Sequence, residues 1–381
     1  MNVTPAPQRL RKGTIPTIAE SARVLEHLRE LVAIDSTNPP RRSAAIVERI
    51  ERTLRAARGF DVRSFDLGAG SVAVLATRGT PRVVFNVHLD TVPVVPGWKR
   101  EPFVVSVEGD RAYGLGACDA KGAAAALLAA ALDSDAPVAL LFTTDEEAGD
   151  ARCARWFIAE PRGFEAVVVG EPTMNQAVVA HRGVGSARIA FRGDAGHASR
   201  GGGTSANHAL VEWAGRALAF AEARRRSGLD VRLNIGRIEG GEKPNVIAGH
   251  AEVRFGVRPP PGASPADVLG ALLELAEGAA EKHVTFVGES LPSRMHRGEA
   301  ARRIATAWGV PVGEPVDFWT EAAIFSEVMP AIVYGPGSIG EAHSADEFVT
   351  LASLVRAAAD YRRAFTTFAT DDGRVLGAPD P

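Results

Sequence analysis

The sequence predicts an α/β protein with a mostly parallel sheet flanked by helices, and the chain of this domain is interrupted by a smaller α+β insert. Three short apolar runs, Val83 to Val87, Val138 to Phe142 and Ala166 to Val169, have the continuous hydrophobicity of strands buried on both faces of a parallel sheet. The segment Lys121 to Leu132 is rich in alanine and predicts a tightly packed helix between the first two runs. From about residue 181 the pattern changes to alternating apolar and polar residues, which is typical of antiparallel strands with one exposed face.

The spacing of apolar residues predicts the helices and strands of residues 1–180. Helical periodicity predicts helices over residues 18–33 and 42–57. Two short strands with glycine turns are predicted next, in DVRSFDLG and SVAVLATRG. The three buried strands and the alanine-rich helix complete a stretch in which strands and helices alternate.

The insert is predicted to hold two helices, over residues 205–226 and 264–283, and several strands, in GVGSARIAFRG, VRLNIGRIEGG, AEVRFGVRP and VTFVGE. After residue 291 we expect a helix over 300–308, a strand in AIVYGPG and a last helix over 351–368. The predicted organisation is therefore a first part (1–180), an insert (181–290) and a second part (291–381) of one discontinuous domain. Residues 1–17 and 369–381 are polar or rich in Pro and Gly, and we expect them to be loose.

The composition narrows the class of protein. A chain of 381 residues can form two or three domains with proper cores. A net charge of −3 argues against nucleic acid or an anionic membrane as a partner. The longest apolar stretch is too short to span a bilayer, and the first residues lack the apolar region of a secretory signal. With two cysteines, no disulfide framework is expected, and a cytoplasmic location fits.

Acidic residues and histidines stand directly after apolar runs or in loops. They are His88, Asp90, Asp119, Glu146, Glu147, Glu171 and His343. Because the carboxyl ends of parallel strands meet at one edge of a sheet, we expect several of them to lie together. Imidazole and carboxylate groups in this number suit two zinc-like ions, with one carboxylate to spare for proton transfer. The pattern favours a metal-dependent hydrolytic site.

Each of these residues also has an ordinary explanation. Asp119 could cap the alanine-rich helix, the acidic run at Glu146 could be a solvated loop, and His343 could be a loop histidine. A phosphate-binding loop is not favoured, because GLGACDAKG matches neither G-x-x-x-x-G-K-[ST] nor G-x-G-x-x-G. No single residue therefore identifies the site, and only the combination of these residues is specific for a metal centre.

That joint pattern resembles a known family from about residue 18 to residue 368. The motifs HLDTVP, GLGACDAKG, DEE, GEPT, GHAS and EKPNVIA occur in the order found in the co-catalytic di-zinc amidohydrolases and peptidases, which include acetylornithine deacetylase, succinyl-diaminopimelate desuccinylase, aminoacylase and bacterial glutamate carboxypeptidase. The stretches FNVHLDTVP, AHRGVGS and VDFWTEAAIFS are most similar to the acetylornithine and acetylcitrulline deacetylases. GACDAKG departs from the commoner G-x-x-D-M-K-G form, and we expect this to change packing and not metal binding.

The resemblance implies two divalent ions, zinc first, with cobalt or manganese as alternatives. It implies five ligands, of which one carboxylate is shared: His88 and Glu171 for one ion, Glu147 and His343 for the other, and Asp119 between them.

It also implies a role for six further residues. Glu146 would be the general base and Asp90 would orient His88. His197, in the insert, would stabilise the oxyanion. The residues implied to grip the substrate carboxylate are Arg182, Asn245 and Arg258.

The resemblance implies hydrolysis of the acetyl amide of N-acetylcitrulline or N-acetylornithine, in arginine biosynthesis. It also implies a homodimer, in which a ferredoxin-like insert joins the two chains and serves as a lid. Two alternatives stay open: a metallo-exopeptidase or aminoacylase acting on dipeptides or other N-acyl amino acids, and an inactive binding protein on the same fold. Glu321 could select an ammonium or bind a ureido group in the substrate pocket.

Overall fold

The computed structural model describes residues 18–200, 202–369 and 376–377. Residues 1–17 and most of 369–381, which the sequence predicts to be loose, lie outside the described residues. The helices are α1 (Ile18–Val32), α2 (Ala44–Ala56), α3 (Lys121–Leu132), α4 (Arg152–Ile158), α5 (Ala206–Arg226), α6 (Pro265–Glu274), α7 (Met295–Trp308), α8 (Ala322–Phe325) and α9 (Leu351–Thr367). The strands are β1 (Asp61–Asp66), β2 (Val72–Arg78), β3 (Val83–His88), β4 (Ser106–Glu108), β5 (Arg111–Tyr113), β6 (Val138–Thr143), β7 (Ala166–Val169), β8 (Val184–Arg192), β9 (Gly196–His197), β10 (Arg232–Gly240), β11 (Val246–Ile247), β12 (His250–Arg258), β13 (Glu281–Gly288), β14 (Ala331–Val333) and β15 (Phe348–Thr350).

A six-stranded mixed sheet in the order β1-β2-β6-β3-β7-β14 positions the candidate site. Strand β3 pairs in parallel with both β6 and β7, and β14 pairs in parallel with β7. The three apolar runs therefore are neighbouring parallel strands, as the sequence predicts. Strands β1 and β2 join antiparallel at the other edge, so the sheet is mixed.

The close packing of helix α3 requires small side chains. It packs against α1, α9 and the sheet, and nearly all of its residues are buried. Alanine side chains allow these elements to approach closely while the core stays filled. A Cβ added at Gly122 would lie 2.4 Å from the Ala117 carbonyl oxygen, so only glycine fits in the first turn.

A second sheet has four antiparallel strands in the order β10-β12-β8-β13. Its elements follow one another as strand, helix, strand, strand, helix, strand, from β8 to β13. Helices α5 and α6 pack on it around a core that includes Trp213 and Phe255, whose ring centroids are 4.9 Å apart. After β13 the chain returns to the first sheet through β14.

Several elements differ from the prediction. The helix predicted to reach residue 283 ends at Glu274, because residues from Glu281 onward pair with β8 as strand β13. The helix predicted over 300–308 begins earlier, at Met295. A three-stranded sheet, β15-β5-β4, was not predicted, because three-residue strands carry too little pattern.

None of the helices in the described ranges has the length and apolar character needed to cross a membrane.

Candidate metal centre

Ligand-type side chains gather where three parallel strands end. His88 is the last residue of β3, Glu147 lies just beyond the end of β6, and Glu171 lies just beyond the end of β7. Parallel pairing brings these three ends to the same edge of the sheet. His88 and Glu171 are both buried at this edge.

Asp119 lies at the centre of the cluster, and its two carboxylate oxygens face different histidines. Oδ1 lies 2.9 Å from Nε2 of His88, and Oδ2 lies 3.4 Å from Nε2 of His343. On the first side Glu171 Oε1 lies 3.7 Å from His88 Nε2, and on the second side Glu147 Oε1 lies 3.1 Å from His343 Nε2. The arrangement is that of a bridging carboxylate between two pairs, each made of one histidine and one glutamate.

The His88 ring is oriented by a hydrogen bond at Nδ1, the nitrogen that does not face Asp119. Its Nδ1 lies 3.0 Å from the backbone carbonyl oxygen of Asp90. A carbonyl only accepts, so Nδ1 donates a hydrogen there, and a neutral ring would keep the lone pair of Nε2 for a metal ion. The Asp90 carboxylate is farther from the ring, with Oδ1 3.5 Å from Nδ1. Its Oδ2 accepts from Asn38 Nδ2 (2.9 Å) and from the Glu147 backbone N–H (3.0 Å), which links the ends of β3 and β6.

The charges of the cluster explain the pKa shifts of its members. Burial raises the pKa of Glu171 and of Glu147, and the nearby Asp119 carboxylate raises both further. Hydrogen bonds to Asp119 and Glu147 raise the pKa of His343 to about 11. Burial alone would raise the pKa of Asp119, but hydrogen bonds from His343 and His88 hold it below its ordinary value. Glu147, Glu171 and His343 therefore favour added positive charge at this place.

This donor set fits divalent cations. Ligand atoms of His88, Asp119 and Glu147 lie within 4.8 Å of one another. Oxygen and imidazole nitrogen donors of this kind suit zinc, cobalt or manganese. Cys118 is next to Asp119, but its thiol is buried and donates to the Ser338 carbonyl oxygen at 3.2 Å, so it packs against the neighbouring segment.

A cleft of about 410 Å³ opens over the cluster. Glu146 lines it beside four of the ligand residues. Burial, opposed by His88 and reinforced by the carboxylates of Glu147 and Asp119, raises the pKa of Glu146 to about 8. A carboxyl group with a pKa near neutrality, next to the place where water would bind, is suited to exchange protons.

The cleft is also lined by aromatic side chains and one cation. Phe318 lies there, and Phe286 and Trp319 form an edge-to-face pair with ring centroids 5.3 Å apart. The cation is Arg258, and burial lowers its pKa.

Three residues that the sequence assigns to the site do not line this cleft. His197 is exposed on the short strand β9, where its Nδ1 lies 2.7 Å from Ser199 Oγ. Asn245 lies beside it, and its carbonyl oxygen accepts from the Ala198 N–H at 2.9 Å. The Arg182 guanidinium is already engaged with Asp230 and with Asp317 Oδ1 (2.8 Å).

Glu321 lies beneath the site and not in the cleft. It is 1% exposed, and its Oε2 accepts from Thr143 Oγ1 at 3.4 Å. Burial raises its pKa well above the ordinary range, and Asp145 contributes. Its position argues against the expectation that it contacts the side chain of a substrate.

Two polar residues at the site were missed by the sequence analysis. Asn38 holds the Asp90 carboxylate, and Glu347 accepts three backbone hydrogen bonds from the turn that carries Asp119. A weak signal for Glu347 was its place in AHSADE, four residues after His343. Asn38 lies in STNPP, which reads as an ordinary turn.

Comparison with known proteins agrees with this geometry. The model of "Peptidase family M20/M25/M40" matches residues 84–367. The chain is 48% identical over 348 residues to the N-acetyl-L-citrulline deacetylase of Xanthomonas campestris pv. campestris, covering 88% of this chain and 95% of that protein. It is 32% identical over 298 residues to the acetylornithine deacetylase of Yersinia pseudotuberculosis, covering 70% and 74%.

Solved structures share the fold at low sequence identity. A tripeptidase from Staphylococcus aureus superposes with a TM-score of 0.72 at 20% identity, covering 92% of this chain and 98% of that one. A dinuclear metal binding peptidase of the M20 family from Bacillus subtilis gives 0.66 at 16% identity, covering 93% and 100%. These comparisons confirm the resemblance inferred from the motifs, and the chain belongs to peptidase family M20/M25/M40.

Proposed function

We propose that this protein hydrolyses the acetyl amide of an N-acetyl-L-amino acid, giving acetate and the free amino acid, at a centre of two divalent ions. The observation that carries the proposal is the position of Asp119, with one carboxylate oxygen toward His88 and Glu171 and the other toward His343 and Glu147. Its relatives at 48% and 32% identity are named as deacetylases of N-acetylcitrulline and N-acetylornithine. Zinc is the metal we expect first, with cobalt or manganese as alternatives.

Two divalent ions bound here would polarise the amide carbonyl and make water a better nucleophile at neutral pH. The chain supplies the proton transfer: Glu146 takes a proton from the attacking water and returns it to the leaving nitrogen. A raised pKa suits both halves of this task, because the carboxylate is basic enough to accept the proton and the acid readily gives it up.

Arg258 is the group we propose for the substrate carboxylate. Arg258 lines the same cleft as the metal ligands, and a guanidinium binds a carboxylate through two parallel hydrogen bonds. Arg182 supports it: Arg182 Nη1 donates to the Arg258 carbonyl oxygen at 3.2 Å, while Asp230 and Asp317 hold the rest of the Arg182 guanidinium. We therefore propose Arg182 as a support for the binding group and not as a binding group itself.

The cleft favours a neutral substrate side chain. Among the described residues that line it, every carboxylate belongs to the metal cluster or is Glu146, and the remaining charged group is Arg258. The ammonium of N-acetylornithine would find no separate acid there, since Glu321 is buried beneath. A flat ureido group can pack on the aromatic wall of Phe286, Phe318 and Trp319. N-acetyl-L-citrulline is therefore the substrate we propose.

The α+β unit from about residue 181 to 290 is proposed as a ferredoxin-like lid that joins two chains into a homodimer. Val211 and Leu218, seven residues apart on α5, are 66% and 54% exposed, and Ile238 on the edge strand β10 is 58% exposed. Apolar side chains grouped on one surface mark a protein interface. His197 does not line the cleft of its own chain, and we propose that it stabilises the oxyanion in the cleft of the partner.

A substrate panel tests the proposal. Metal-loaded protein should release acetate from N-acetyl-L-citrulline, with kcat/KM at least about tenfold above that on N-acetyl-L-ornithine, since tenfold corresponds to only about 1.4 kcal/mol. Faster hydrolysis of dipeptides would make the protein an exopeptidase. No turnover of any N-acyl amino acid or dipeptide by metal-loaded protein would make it a binding protein.

A further inference from the structure

Glu347 is a buried carboxylate that the mechanism above does not use. It is 1% exposed and follows His343 by four residues. Its Oε1 accepts from the backbone N–H groups of Cys118 (2.8 Å) and Asp119 (2.9 Å), and its Oε2 accepts from the N–H of Gly116 (2.9 Å). Three N–H groups of the turn that carries the bridging Asp119 therefore converge on one side chain.

The same two segments are joined along their length. The Glu347 carbonyl oxygen accepts from the Gly114 N–H at 3.0 Å. Strand β15 pairs with β5, and the Cys118 thiol donates to the Ser338 carbonyl oxygen at 3.2 Å. The segment that carries His343 is fastened in this way to the segment that carries Asp119, both before and after the histidine.

His343 depends on these links more than the other ligands do. Its side chain is 50% exposed, whereas those of His88, Asp119, Glu147 and Glu171 are at most 8% exposed. Its φ of 56° is in the left-handed region, which a residue with a Cβ keeps only when its surroundings hold it there. His88 is the last residue of β3, Glu171 follows β7 by two residues, and both are buried, so they have less need of such links.

We infer that Glu347 is a positioning residue that sets the distance between Asp119 and His343 and so forms the second metal site, with little influence on the first. The inference rests on the ligand set proposed above. Groups that hold metal ligands in place typically contribute 10–100-fold in metal affinity. The Glu347 carboxylate is suited to this task because it offers two oxygens that only accept, and the turn presents only donors.

Glu347→Gln tests the inference with almost no change in size. The amide nitrogen cannot accept, so at least one of the three N–H groups loses its partner and faces another donor. Metal-free protein would be titrated with Zn²⁺ in competition with a chromophoric chelator, which gives both dissociation constants. One of the two ions should lose about 10–100-fold in affinity, and the affinity of the other should change by less than about threefold.

Asp360→Asn is the matched control. Asp360 is a carboxylate on α9 that is also 1% exposed, and it is bonded to Tyr334, Arg356 and Arg363, away from the metal ligands. This variant should lower the melting temperature and leave both metal affinities as in the wild type. If Glu347→Gln does not fold, the same titration on Glu347→Asp tests the inference instead, because the shorter side chain keeps its charge but cannot reach all three donors.

The outcomes separate the two proposals. Two ions bound by the wild type, with one selectively weakened in the Glu347 variant, support the inference. Wild-type affinities in the Glu347 variant, or equal weakening of both ions, overturn it while the deacetylase proposal stands. A wild-type protein that binds fewer than two ions overturns the ligand set, and the role of Glu347 with it.

Discussion

Glu146 and Glu147 are adjacent in the chain and differ in surroundings. Glu147 Oε1 lies 3.1 Å from His343 Nε2, while Glu146 lines the cleft with a pKa raised to about 8 by burial. Neighbouring residues at the end of a strand point in different directions, so one side chain is available as a ligand and the other as a base. The sequence motif alone does not separate the two proposed roles, and the hydrogen bond to His343 supports Glu147 as the proposed ligand.

Glu146→Gln should lower kcat by roughly 10²–10⁴-fold, because the amide keeps the size of the side chain but accepts no proton. Two divalent ions per chain should still bind, since Glu146 is not in the proposed ligand set. Steady-state kinetics and metal analysis of the same preparation measure both quantities. Wild-type kcat in this variant would assign the proton transfer to another group.

His181 makes a second prediction, which concerns stability and pH. Burial lowers its pKa from 6.5 to about 4, while its Nδ1 lies 2.9 Å from the Arg182 carbonyl oxygen. Between pH 6.5 and 4 the unfolded chain takes up a proton at this residue and the folded chain does not. The free energy of unfolding should therefore fall as the pH falls through this window, by up to about 1.4 kcal/mol per pH unit from this residue alone.

Urea unfolding of the wild type and of His181→Asn, at several pH values from 7 to 4, measures this contribution. The variant should be less stable at pH 7 but should lose stability less steeply with acid. Parallel slopes for the two proteins would show that His181 has an ordinary pKa in the folded state.

At the scale of elements, long segments with a clear pattern were predictable. The prediction for α3 is confirmed at both ends, and the prediction for α5 differs by one residue at its start. The parallel strands β3, β6 and β7 were recognised because strands buried on both faces are continuous apolar runs. The end of α6 was misplaced because Glu281 to His283 continue a polar, helix-compatible pattern, and only pairing with β8 makes them a strand.

The sequence predicts the proposed ligands of the candidate site, but not the residues that support them. His88, Glu147 and Glu171 meet in the structure because the ends of parallel strands share an edge, while Asp119 and His343 join them from a turn and a loop. The support from Asn38 and Glu347 comes from residues that are 52 and about 228 positions away from their partners. Contacts over such separations leave no periodic signal in a single sequence.

Helix α3 provides a prediction at this scale. Gly122→Ala would place a Cβ 2.4 Å from the Ala117 carbonyl oxygen, so it should destabilise the protein by about 1–3 kcal/mol. Gly270→Ala in α6 is the control, because a Cβ there meets nothing within 4 Å, and it should stabilise by about 0.5–1 kcal/mol. Chemical unfolding of both variants checks the pair, and equal effects would contradict the close packing at Gly122.

The whole molecule is expected to work as a pair of chains. His197 is exposed and lies outside the cleft that holds Glu146. If the partner's cleft receives His197, then chains with His197→Ala and chains with Glu146→Gln should complement each other. In a mixed dimer one site has both native residues and the other has both defects.

Random reassembly makes about half of the dimers mixed, so the mixture should recover roughly a quarter of wild-type activity under two-fold symmetry. The two variants would be dissociated, mixed in equal amounts and reassembled, with each variant alone as the control. A mixture no more active than its components would place His197 within its own chain's chemistry, or outside the reaction.

A metal titration monitored by substrate turnover tests the proposed di-metal deacetylase most directly. Chelator-treated protein is titrated with Zn²⁺ or Co²⁺ while acetate release from N-acetyl-L-citrulline is measured. Activity should be absent without metal and should reach its plateau at two ions per chain, because the oxygens of Asp119 face two separate pairs of ligands. Full activity in the chelated protein, or no acetate release at any metal concentration, would contradict it.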